Sequence, residues 1–152
     1  MFALLILLMA IGTAVLPLIV SEAARFFPRL KLQPGSPWLP IVAAALLLVS
    51  IALPDVHISK QTSTFQQHFV GGGMYSACLY LYAKRVFGWR PHWIIDMIFL
   101  FAWVSALGVA NKLIEFAFLE LRLVAIDTSD AYWDLFANTL GGFVGYFLLS
   151  AF

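Results

Sequence analysis

Charge is what this sequence has least of. Aspartate, glutamate, lysine and arginine make up 11% of its 152 residues, while 62% are hydrophobic. A soluble domain carries roughly 25% charged residues. Too few polar groups are present to cover a water-facing surface. That excludes an ordinary soluble globule and points to an integral membrane protein. The formal net charge is only +1, so no general electrostatic pull toward nucleic acid exists. Cysteine is nearly absent too. The single Cys78 lies in the apolar run MYSACLYLY and reads as a small packing residue, and it leaves no disulfide framework within one chain. No internal repeat is obvious, and residues 1–152 read as one membrane-embedded helical domain.

Long hydrophobic runs are what the chain does have. Windows of the roughly 17–25 residues needed to span a bilayer appear five times: Phe2 to Val20, Trp38 to Leu53, Phe69 to Phe87, Trp93 to about Leu113, and Leu135 to Phe152. The expected fold is therefore all-α, a polytopic membrane bundle of about five helices. Pro17 is expected to kink the first. That span has no basic stretch before it, and EAARFF is not a convincing cleavage site, so it reads as a retained helix and not a removed signal peptide. Trp38, Trp89, Trp93 and Trp133 fall near span boundaries, where an aromatic belt accounts for them.

The basic residues give a direction. Arg25, Arg29 and Lys31 follow the first span and Lys84, Arg85 and Arg90 the third, six of the nine basic residues. The positive-inside rule puts those connections in the cytoplasm, with the N-terminus outside and the C-terminus cytoplasmic. Two polar segments, PDVHISKQTSTFQQH and the acidic stretch from Glu115 to Asp134, then share the outer face.

Each segment offers candidate site residues. In STFQQHFVGGG, Ser63 and Thr64 stand three residues before Gln66 and Gln67, a capping-box spacing. A helix from there carries His68, Gly71 or Gly72, Tyr75 and Tyr82 on one face, and the glycines permit close helix approach. Near the end of the fourth span, Lys112 and Glu115 are spaced to pair, and Glu120 lies well around the helix from Glu115. Asp96 is expected to bridge locally, near Arg90 and His92. In DAYWDLFANTLGGFVGY, Thr128 or Ser129 can cap the last helix. Asp130, Asp134, Asn138, Gly141 or Gly142, and Gly145 then follow on one face. Each four-residue step runs about 6 Å deeper at ~1.5 Å per residue. Such a polar stripe must face protein, not lipid.

His68, Glu115 and Asp134 are thus candidate catalytic or divalent-metal-ligating residues. Asp130, Asn138, Glu120, Tyr75 and Gln67 are candidate binding residues, and Gly71, Gly72, Gly141 and Gly145 candidate packing positions. Carboxylates with an imidazole suit a divalent cation or general acid–base work, and they can equally hold one another in a buried network. The spacing does not choose.

Over residues 60–152 the pattern resembles the VanZ-like family of small bacterial membrane proteins. The resemblance rests on QHFVGGG (His68, Phe69), KLIEFAFLE (Glu115, Glu120) and, most specifically, DAYWDLFANTLGGFVGY (Asp130, Asp134, Asn138, Gly141, Gly145). Gln66-Gln67 stands where the family often has an acidic–basic pair, and the glutamine usual after the helix-four glutamate is absent or replaced by Glu120. The resemblance implies a multi-pass protein of the bacterial cytoplasmic membrane with an envelope-related role; the family's named member is associated with resistance to the glycopeptide teicoplanin. The partners it suggests are membrane lipids, a lipid-linked envelope precursor or a glycopeptide-like ligand, with a homo-oligomer open. The functions weighed are a binding protein for an envelope lipid, glycolipid precursor or amphiphilic antibiotic; a metal-dependent hydrolase or transferase; and a purely structural polar network.

Overall fold

The computed structural model describes residues 2–58, 61–120 and 131–151. Helix α1 (Phe2–Ala14) is an apolar run rich in leucine and alanine, interrupted only by Gly12 and Thr13. The chain bends by 48° before α2 (Leu16–Phe26). Pro17 sits in the first turn of α2, where its missing N–H leaves no bond unmade. A 3-10 turn, Pro28–Leu30, reverses the chain through Lys31 at φ 49°. Helix α3 (Trp38–Ser50) stops before Pro54. A short antiparallel hairpin follows, β1 (Val56–Ile58) and β2 (Gln61–Ser63), pairing Val56 with Ser63 and Ile58 with Gln61. These are the only strands among the described residues; the fold is all-α.

The next helix is not uniform. A single turn, α4 (Phe65–Gln67), opens into a π-helical segment, His68–Met74, before α5 (Tyr75–Val86) resumes. Gly71, Gly72 and Gly73 impose no side-chain constraint on the wider turn, and π turns of this kind concentrate at functional sites. Helix α5 ends in a Schellman motif: Gly88 takes φ 61°, its N–H donates to Arg85, and the Trp89 N–H donates to Lys84 at 2.9 Å. Helices α6 (Trp93–Glu120) and α7 (Ala131–Ser150) complete the bundle.

Packing centres on α7 against the π segment. A Cβ on Gly73 would fall 2.7 Å from Gly141 Cα and 2.7 Å from Gly142 N, so the two backbones touch there. Helix α1 lies on α3 through Ile6, Ala10, Ala44 and Leu47. It is tied inward by a 2.9 Å hydrogen bond between the Thr13 and Tyr75 hydroxyls. Leu39, Leu81, Tyr82 and Val86 join α3 to α5, and Tyr80, Leu100 and Val104 join α5 to α6.

The burial pattern is inverted relative to a soluble protein. Leu18, Ile98, Leu113 and Phe147 are more than 60% exposed, whereas Asp96, Asp134 and Asn138 are at most 4% exposed. By length and composition one helix, α6, can cross a membrane, and the bent α1–α2 pair passes the same test as one broken span. Helix α3 is apolar but shorter. The π segment divides the third hydrophobic run, and α7 carries Asp134, Asn138 and three glycines. A five-span bundle therefore remains a functional proposal.

The two basic connections meet at one end of the bundle. The Gln33 N–H donates to Val86 at 2.8 Å, and the Arg85 guanidinium lies 5.4 Å from the centre of the Trp38 ring. The hairpin, α4 and the start of α7 gather at the other end, where Gln67 Nε2 donates to the Leu53 carbonyl at 3.1 Å and to Asp55 Oδ1 at 3.0 Å.

Candidate functional site

Asp134 is the focus of that second end. It lies in the first turn of α7, where the helix dipole favours an anion, and is 2% exposed. Three elements supply its partners. Thr64 donates from its hydroxyl to Oδ1 at 3.0 Å. His68 Nε2 lies 3.2 Å from Oδ2 at the start of the π segment. The Lys112 ammonium reaches the same Oδ2 from α6. A buried carboxylate is tolerated only when paired and hydrogen-bonded in this way.

One turn deeper, Asn138 is 4% exposed, with its amide between Gly72 and Gly108. Its Oδ1 occupies the space a Cβ on Gly72 would need and has no hydrogen-bond partner. Below it Gly141 lies under the Phe69 carbonyl and Gly145 against Met74. Gly71 faces the other way, toward Ser50 of α3.

The structure brings together His68, Asp134 and Asn138, with Gln67 beside them on the 53–55 connection. Tyr75 is elsewhere, its hydroxyl bonded to Thr13 on α1. A 3.6-residue period aligned it with His68; the wider π turn between them invalidates that arithmetic. Glu120 is exposed at the end of α6. Glu115 lies on α6 with its side chain outside the described set, and Asp130, Thr128 and Ser129 lie outside the described residues. The capping box is not formed. Thr64 makes no side-chain cap and turns to Asp134, a charged acceptor. Among the described residues no group of three His, Cys, Asp or Glu is placed to hold a metal ion. At Asp134 a cation would meet Lys112 already in position.

Sequence reasoning missed two direct partners of Asp134, Thr64 and Lys112. It also missed a second buried centre at the basic end. There the Asp96 carboxylate bonds with α5 and α7, in place of the side chains of its neighbours Arg90 and His92. Tyr80 and Tyr146 each donate a hydroxyl to its carboxylate at 2.5 Å, and the Lys84 ammonium pairs with Oδ2. Lys84 also lies over the Tyr80 and Tyr146 rings at 5.7 and 5.4 Å. The i, i+4 spacing of Tyr80 and Lys84 was the available signal, but Lys84 read only as a topology marker.

No protein-family model, no curated protein and no solved structure matches this chain.

Proposed function

We propose that this chain is a multi-pass protein of a bacterial cytoplasmic membrane whose outward-facing polar centre, built on Asp134, binds the head group of an envelope lipid, a lipid-linked precursor or an amphiphilic antibiotic. The observation that carries the reading is a carboxylate, an ammonium and an imidazole gathered at one end of a body whose sides are apolar. Exposed large apolar side chains along α1, α2, α6 and α7 suit lipid contact. The two basic connections at the opposite end suit the cytoplasmic side. The resemblance of DAYWDLFANTLGGFVGY to the VanZ-like pattern agrees with an envelope role.

A structural reading has its own observation: Asp134 is fully engaged by Thr64, His68 and Lys112, as a helix-pinning residue would be. One experiment separates the two. Binding of phosphatidylglycerol and of a polyprenyl phosphate is measured on the purified protein and on Asp134→Asn, which preserves shape. The expected result is normal folding with at least tenfold weaker binding of one lipid. Equal binding by both proteins would leave Asp134 as a packing residue only.

A further inference from the structure

Helix α2 and the 3-10 turn after it are the least covered part of the bundle. No residue of α2 or of Pro28–Leu30 is buried. Leu16 and Val20 lean on the cluster around Leu39 and Tyr82. Ile19 and Phe26, two turns apart on nearly one stripe, stay 56% and 76% exposed. Phe27 and Leu30 continue that apolar surface, each 61% exposed. The same surface runs back onto α1, where Leu4, Leu8 and Ile11 are more than half exposed. One medium therefore covers both helices.

Positive charge is interleaved with these side chains. From Arg25 to Lys31 the chain reads RFFPRLK, with every residue exposed. Glu22, the one acid of α2, is taken by Arg25 Nη1 at 2.9 and 3.1 Å. Arg29 and Lys31 pair with no carboxylate among the described residues. The bond from Gln33 to Val86 brings the second basic connection to the same end, so the local excess is positive. Hydrocarbon alone would strand the cations, and water alone would leave the phenylalanines uncovered. The boundary between acyl chains and anionic head groups satisfies both. The 48° bend before α2 turns the segment off the line of α1, as a helix leaving the bundle along that boundary requires.

We infer that α2 and the turn Pro28–Leu30 form an interfacial anchor on the leaflet at the basic end, with Ile19, Phe26, Phe27 and Leu30 at the acyl boundary and Arg29 and Lys31 on the phosphates of anionic phospholipids. This rests on the membrane reading of the chain and not on the Asp134 centre, which lies at the opposite end. The partner is a surface of negatively charged phosphodiester head groups, met collectively and not as one lipid in a pocket.

The test uses the full-length protein in mixed vesicles, with a bimane fluorophore on Phe26→Cys. The buried native Cys78 leaves the introduced thiol as the reactive one. Quenching by dibrominated phosphatidylglycerol is compared with quenching by dibrominated phosphatidylcholine at equal mole fraction. A separate label on Ile98→Cys reports on α6, where Ile98 is 61% exposed. Both lipids should quench at both sites. At position 26 phosphatidylglycerol should quench at least twofold more strongly, and high salt should reduce that preference. The double substitution Arg29→Gln with Lys31→Gln should abolish it while leaving the signal at position 98 unchanged. Equal quenching by the two lipids at position 26, or a preference that survives the double substitution, overturns the anchor. So does an unquenched label at position 26 beside a quenched one at position 98, which would put water or a second copy over this face. No quenching at either site sinks the membrane reading itself, and the anchor with it.

Discussion

His68 and Asp134, 66 positions apart in the chain, meet with Nε2 3.2 Å from Oδ2. The contact joins the start of the π segment to the first turn of α7, the two elements that pack most extensively on each other. Lys112 shares the same carboxylate oxygen. Fixing one carboxylate in this way fixes the relative rotation of three helices.

Removing one member of that charge pair should cost far more than removing both. Asp134→Leu deprives Lys112 and His68 of their carboxylate and Lys112→Met leaves Asp134 on Thr64 and His68 alone; with Lys112 22% exposed, either should lower stability by about 1–3 kcal/mol. The double variant should recover at least half of that loss. Unfolding of the four proteins in detergent measures it, and additive losses would mean the pair is not coupled.

The Asp96 centre should behave as a structural tie, separate from binding. Tyr146→Phe removes one donor to a carboxylate that keeps Tyr80 and Lys84, at a cost of roughly 1.5–3 kcal/mol. Asp96→Ala strands Lys84 and should cost about 3–5 kcal/mol. Neither should alter lipid affinity at the Asp134 end by more than twofold, as read by the same binding assay on folded protein.

Glycine substitutions should separate by place. Gly73→Ala drives a methyl into the backbone of α7, and overpacking of this kind costs roughly 1–3 kcal/mol or more. Nothing lies within 4 Å of a Cβ at Gly12. There the higher helix propensity of alanine should stabilise by up to about 1 kcal/mol. Thermal melts of the two variants should therefore shift in opposite directions.

Topology can be read with thiol reagents, because the only native cysteine, Cys78, is fully buried. In intact cells a membrane-impermeant maleimide should label Asp55→Cys, exposed on the connection before β1. It should label Phe87→Cys only after permeabilisation. The opposite pattern would invert the orientation and place the Asp134 centre in the cytoplasm.

Much of the fold was legible because helical periodicity is local. The runs that became α1, α3, α6 and α7 are continuous apolar stretches, and Gly88 just past Val86 marks the end of α5 through its left-handed φ. The face carrying Asp134, Asn138, Gly141 and Gly145 follows from a 3.6-residue period along one helix. The π segment was not legible: GGG permits a wider turn but does not demand one. Its insertion turned Tyr75 to Thr13 and made the facing arithmetic from His68 wrong by part of a turn.

By itself the sequence determined composition, the apolar runs and which residues share a face of α7, since these depend on neighbours within a turn or two. The tertiary structure decided which faces meet. Asp134 took Lys112 and Thr64, and Asp96 took Lys84, Tyr80 and Tyr146, because those pairings depend on the rotation and depth of whole helices set by backbone contact at Gly73 and Gly141. No local pattern records a neighbour 50 or 70 positions away; only close packing selects it.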